Sequence, residues 1–250
     1  MQRDVFDELF DEIYLTTYAV TLHERDSSAE AAAAARLAGV EPPAEILDAP
    51  GGFGRHSIPL AETGFRVTSI DRSAVQQEEG RRRAGDAEWP RFVQADFREL
   101  PFEEGSFDAV LCLFSSIGYR GEDADRQTLG EFLRVLRPGG ALIVETQHRD
   151  RIMAILQERG WEHLRDDAVL LEERSFDYVA GEIETVHTLA PAEGPRRAVT
   201  YRLRVYTATE LVRMLEGVGF SEPDCFGDLE GGAELSRETR LVIRARKPSA

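Results

Sequence analysis

Between residues 45 and 146 short apolar runs alternate with helical segments, and this alternation limits the fold more than any other feature of the chain. "EILDA" (45–49), "FRVTSID" (65–71), "RFVQAD" (91–96), "FDAVLCLF" (107–114) and "ALIVET" (141–146) read as strands. Between them "RHSIPLAETG" reads as a helix closed by Gly64, and a polar, Arg-rich helix follows Ser73. "ADRQTLGEFLRVLRPGG" (124–140) reads as a helix with its stop signal. Strands separated by helices pair in parallel through right-handed crossovers, which puts helices on both faces of a parallel sheet.

The flanks follow other periods. Residues 4–37 read as helical, with Ser27 and Ser28 able to cap an Ala-rich segment that Gly39, Pro42 and Pro43 end. Residues 168–206 alternate apolar and polar side chains around Ala180-Gly181 and Glu193-Gly194-Pro195, the pattern of three antiparallel strands. "TATELVRMLEGVGF" (207–220) restores a helix capped by Thr207 or Thr209, and two last strands lie near 220–227 and 238–246. We therefore expect one α/β domain over residues 1–250, with a helical cap at 1–40 and a small β insertion at 165–206.

A formal net charge of −16 opposes a nucleic-acid partner, because nonspecific affinity for a phosphate backbone comes from Lys and Arg releasing counterions. The run Arg81-Arg82-Arg83 falls at a helix end, where cations complement the dipole. Cys112 and Cys225 have no CxxC spacing, so neither a metal site nor a disulfide framework is expected. No apolar run approaches the roughly 20 residues of a membrane span, and "MQRDVFDELFDE" lacks a signal-like stretch, so a cytoplasmic protein is expected.

"EILDAPGGFGRHSIPLA" carries the chemistry. A strand that enters a Gly-rich turn and then a helix offers backbone N–H groups to a nucleotide, and glycine is needed where a Cβ would obstruct. Read as G-x-G-x-x-G, the turn fits a dinucleotide fingerprint with Ser57 in the third glycine's place. That reading sets Asp48 beside a pyrophosphate, an unfavourable pairing. A cofactor with a cationic head and no phosphate, such as S-adenosylmethionine, suits the acid better. Asp71 ends the second strand, where a carboxylate accepts from ribose hydroxyls, and Asp96 ends the third, followed by Phe97, beside an adenine.

With "LDAPGGFGRHS", "VTSIDRS", "QADFRELPF", "FDAVLCLFSSIGY" and "LRVLRPGGALIVET" in that order, the chain resembles the class I S-adenosylmethionine-dependent methyltransferases. More narrowly, "FDELFDEIYLTTY", "GFGRHS", "FSSIGY" and "RVYTATELVRMLEGVGF" resemble a bacterial small-molecule branch with a β insertion before the last helix, which usually reads Pro-Cys-Gly at Pro50-Gly51-Gly52. The resemblance implies a Rossmann-like seven-stranded sheet, order 3-2-1-4-5-7-6 with the last strand antiparallel. It implies S-adenosyl-L-methionine as cofactor and S-adenosyl-L-homocysteine as product.

Gly52 and Gly54 would meet the methionine moiety, Asp48 its ammonium and Arg55 its carboxylate, with the Leu113-Phe114 backbone alongside. Asp71 would take the ribose, Asp96 and Phe97 the adenine, and Tyr14 and Tyr18 would close the pocket or pack as core aromatics. Tyr119 and His148 are the candidates for a general base, His148 reading somewhat better as a polar loop residue, whereas nothing places His187 or His163 at the ligand edge. Phe176, Tyr178, Tyr201 and Tyr206 of the insertion could wall a small-molecule acceptor, form the insert's own core, or join two copies as a homodimer. A nicotinamide-dependent oxidoreductase and a non-catalytic binding module are the competing functions.

Overall fold

The computed structural model describes residues 26–164 and 167–249. Its helices are α1 (Ser27–Ala38), α2 (Ser57–Glu62), α3 (Ala74–Ala84), α4 (Glu122–Val135), α5 (Arg149–Ile155) and α6 (Ala208–Val218). The main strands are β1 (Glu45–Asp48), β2 (Arg66–Asp71), β3 (Arg91–Gln94), β4 (Phe107–Cys112), β5 (Leu136–Thr146), β10 (Ser221–Phe226) and β11 (Leu241–Arg246). They form a seven-stranded sheet in the order β10-β11-β5-β4-β1-β2-β3. β1 to β5 pair in parallel, and β11 runs antiparallel to both β5 and β10. This is the expected seven-stranded order once the inserted strands are set aside.

Alternate residues of the central strands feed two cores. Leu47, Ile70, Val110 and Leu142 face Leu129, Phe132, Leu211 and Met214 of α4 and α6. Ile46, Val67, Leu111 and Ile143 face Ala31, Ala34, Ala38 and Leu60 of α1 and α2. Burying each large apolar side chain stabilises the fold by about 1.5–3 kcal/mol. Asp26, not Ser27 or Ser28, caps α1: its Oδ1 accepts from the Ala29 N–H at 2.9 Å. The part of the cap before residue 26 lies outside the described residues.

Two sequence expectations change. Helix α4 ends at Val135, and Leu136–Gly140 already belong to β5, because Leu136 is buried opposite Phe107 of β4 and sheet pairing overrides the stop signal. The insertion is a four-stranded antiparallel sheet, β6 (Arg159–His163), β7 (Val169–Asp177), β8 (Glu182–Ala190) and β9 (Arg197–Arg204). Its added strand β6 escaped the sequence reading because "RGWEH" has only one apolar side chain. No helix among the described residues is long and apolar enough to cross a membrane.

Candidate functional site

Parallel pairing brings the C-terminal ends of β1 to β5 to one edge, and antiparallel β11 starts at the same edge with Arg240 just before it. Asp48, at the end of β1, is 1% exposed. The Ser57 hydroxyl donates to its Oδ2 at 2.5 Å, while Oδ1 has no partner among the described residues. Burial raises the Asp48 pKa, partly opposed by His56, the Ser57 hydrogen bond and Arg55. Arg55 donates through Nη1 to Ser27 Oγ at 3.2 Å and to Glu30, and its buried Nη2 is also without a partner. One buried acceptor and one buried cationic donor are thus left unmatched at neighbouring positions, an arrangement folding alone does not favour.

The glycine turn is shaped by its surroundings as well as by what it could hold. Gly52 and Gly54 have φ of 56° and 82°, in the left-handed region. A Cβ on Gly54 would stand 2.8 Å from the Phe92 ring. At Gly51, where the resembling branch usually has Cys, a Cβ would lie 2.2 Å from Ser69 Oγ, so a side chain there would require Ser69 to move.

At the end of β4, Phe114 and Ser115 both have positive φ, 62° and 60°. Two successive non-glycine residues in that region cost roughly 1–3 kcal/mol each and persist only when the surroundings hold them. Here Glu145, 3% exposed just after the apolar run 141–144 of β5, accepts the Phe114 N–H at 2.8 Å and pairs with Arg240, and its backbone carbonyl accepts the Ser115 N–H at 2.9 Å. Arg240 also donates to Ser115 Oγ at 2.8 Å. The Phe114 ring has Arg55 at 5.2 Å and Arg240 at 5.6 Å from its centroid. Glu145 and Arg240 were not anticipated from sequence, although a lone acid inside "ALIVET" was an available signal.

Asp71 accepts the Gly52 N–H at 3.1 Å and the Ser73 N–H at 2.9 Å. Burial lifts its pKa to about 6 against those bonds. Burial alone would raise Asp96, but the fork of Arg98 (2.6 and 2.9 Å), with Arg72 at 3.5 Å, holds it below the usual carboxylate range. Phe97 packs toward the core, 6.5 Å from the Phe132 ring.

Comparisons with known proteins identify the family. A family model described as a methyltransferase domain matches residues 46–140. A glycine/sarcosine N-methyltransferase from Halorhodospira halochloris is 32% identical over 200 residues, 74% of this chain and 68% of that protein. The chain belongs to the class I S-adenosylmethionine-dependent methyltransferases. A demethylmenaquinone methyltransferase from Clavibacter sepedonicus is 42% identical over 99 residues, so the chain matches about two fifths of that relative's length (39%). The structure of the CcbJ methyltransferase from Streptomyces caelestis superposes with a TM-score of 0.76 at 23% identity, covering 95% of this chain and 98% of that one, which shows the shared fold.

The cofactor of such a methyltransferase ends in an α-amino acid, and the unmatched Asp48 Oδ1 and Arg55 Nη2 fit its ammonium and carboxylate. The acceptor side of the methyltransferase differs from expectation. Tyr178 is 70% exposed beside the β7–β8 turn, its ring against Phe176. Tyr206 is buried and donates to Asp125 Oδ2 at 2.6 Å, which makes it part of the contact between α4 and the start of α6. Tyr201 does face inward, 6.0 Å from the Tyr119 ring. His148 is 1% exposed, and its Nε2 lies 3.1 Å from both the Ser236 and Thr239 carbonyls. Two acceptors require Nε2–H as the donor, so the ring clamps the segment before β11 and keeps an unmatched Nδ1. Tyr14 and Tyr18 lie outside the described residues.

Proposed function

We propose that the chain transfers a methyl group from S-adenosylmethionine to the nitrogen of a small organic amine. The observation that carries the cofactor half is that Asp48 Oδ1 and Arg55 Nη2, which flank the glycine turn in sequence, are both buried without a partner among the described residues. A nitrogen acceptor is supported by the glycine/sarcosine N-methyltransferase relative, which aligns over most of the chain. A net charge of −16 argues against a polyphosphate acceptor.

In this reading Asp48 takes the ammonium and Arg55 the carboxylate of the methionine moiety, with Gly52 and Gly54 beneath and the Phe114 backbone beside them. Asp71 takes the ribose hydroxyls. Asp96 and Phe97 sit beside the adenine, and the 3.5 Å Arg72 contact is the one an exocyclic amino group would replace. The bound cofactor supplies a sulfonium-activated methyl group. The protein's part is to orient the acceptor, exclude water and manage one proton, and orientation alone can supply about 7–11 kcal/mol. No general base is needed for an amine that arrives neutral, and one adds about 10²–10⁴-fold for an amine that arrives protonated.

Calorimetric titration with S-adenosylhomocysteine and NAD, followed by turnover with amine, hydroxyl and quinone acceptors, tests this. Binding of S-adenosylhomocysteine and methylation of an amine are expected. Binding of NAD instead, or methylation of the other acceptors alone, would sink the corresponding half.

A further inference from the structure

Helix α3 turns a polar face inward. Its buried residues are Gln76, Gln77 and Gly80, which lie on one side of the helix at spacings of three and four. No apolar side chain is among them, whereas a surface helix ordinarily turns an apolar stripe to the core. The close approach of α3 is set by Phe92. A Cβ on Gly80 would stand 2.4 Å from the Phe92 ring and one on Gly54 would stand 2.8 Å from it, so the ring is wedged between the helix and the glycine turn.

That approach brings both glutamines to Gly52. Gln77 is fully buried, and its Nε2 donates to the Gly52 carbonyl at 3.2 Å. The Gly52 N–H donates to Asp71 Oδ2 at 3.1 Å. The Gln76 amide covers the α carbon, because a Cβ on Gly52 would come within 2.6 Å of Gln76 Oε1. Gly52 is thus held at both of its backbone polar groups, at a φ of 56° where glycine otherwise leaves the following peptide free to turn. Gln77 Oε1 is buried with no hydrogen-bond partner among the described residues. A leucine or methionine would fill the same space without desolvating an amide oxygen, so folding alone does not account for this side chain.

We propose that Gln77 is a positioning residue for the cofactor: its hydrogen bond fixes the Gly52–Phe53 peptide, so that the glycine turn is already set when the methionine moiety arrives. The proposal rests on the cofactor reading above. Asp71 anchors the peptide before Gly52, and Gln77 anchors the one after it. A turn ordered in advance binds more tightly, because association then carries no entropy of ordering it. The freedom of one backbone residue corresponds to about tenfold in affinity. The buried amide oxygen is stability given up for a preset site, a trade common where a fold holds a ligand.

Calorimetric titration with S-adenosylhomocysteine, urea denaturation and amide NMR on the intact chain test this together. Gln77→Leu should weaken S-adenosylhomocysteine about tenfold while the urea midpoint holds or rises, a split that loss of packing would not give. Without ligand, the Phe53 amide nitrogen should shift in the variant, because it belongs to the peptide whose carbonyl loses its donor. The KM for S-adenosylmethionine should rise by more than kcat falls. Gln77→Met, which keeps the length of the side chain, should behave in the same way. Affinity within about twofold of wild type in both variants overturns this proposal alone. A urea midpoint that falls in step with the affinity, or failure of both variants to fold, also overturns it, by making Gln77 a packing residue. A wild-type chain that does not bind S-adenosylhomocysteine overturns the cofactor reading and this proposal together.

Discussion

Gly51 and Ser69 illustrate how a single buried atom dictates a turn residue across the sheet. Ser69 Oγ is fully buried without a partner among the described residues, and the space a Gly51 Cβ would need is the space it fills. Gly51→Ala is expected to lose about 1–3 kcal/mol in urea denaturation, and Ser69→Ala added to it should recover most of the loss. Asp71 makes a prediction about pH. Its pKa is about 6 in the folded protein, against about 3.9 for an unfolded Asp. A raised carboxyl contributes stability that is fully present below about pH 4 and lost as the pH climbs through about 6, at most about 3 kcal/mol. Cofactor binding runs the other way, since ribose hydroxyls donate to the ionised form. Affinity for S-adenosylhomocysteine should fall by up to about tenfold per pH unit below about 6, and calorimetry on Asp71→Asn should show that component gone. The three acids were legible in sequence because each follows a strand. Their partners were not, and Asp96 turned out to be held by Arg98, two residues on.

At the scale of elements, the junction of the β4 loop with the insert is the sensitive point. Gly118 has φ of +105°, and a Cβ there would come within 2.2 Å of the Arg204 carbonyl oxygen. Gly118→Ala therefore meets both backbone strain and a backbone clash, and neither can be relieved by a flexible side chain. The insert must shift relative to Tyr119. We expect kcat for the acceptor to fall at least about tenfold, while S-adenosylhomocysteine binding, set at the other end of the loop, changes by less than about threefold. Unchanged turnover would separate the insert from the acceptor site. The surroundings of His187 in the insert were not legible in the sequence, because its partners Glu172 and Tyr201 lie 15 and 14 positions away. Helix α6 was legible because Thr207 and Glu210 carry a full capping box in four consecutive residues.

For the whole molecule, a bound cofactor should couple to global stability. A ligand at about 100 times its Kd adds about 2.7 kcal/mol, which for a chain of this size raises Tm by roughly 5–10 °C. S-adenosylhomocysteine should give that shift in a thermal melt and NAD should give none. A shift with NAD alone would reverse the cofactor assignment. The acidic surface leaves duplex nucleic acid without effect in the same assay.

The sequence by itself determined the alternating α/β architecture, the seven-stranded order through its family resemblance, and the three strand-end acids. All of these are encoded in neighbouring residues through periodicity and turn chemistry. Tertiary structure alone decided that Leu136 opens a strand, that Tyr178 is exposed and Tyr206 bonded to Asp125, that Glu145 and Arg240 hold Phe114, and that Glu172, His187, Tyr201 and Tyr119 converge. Those outcomes depend on contacts between distant segments, where burial and pairing outweigh any local preference.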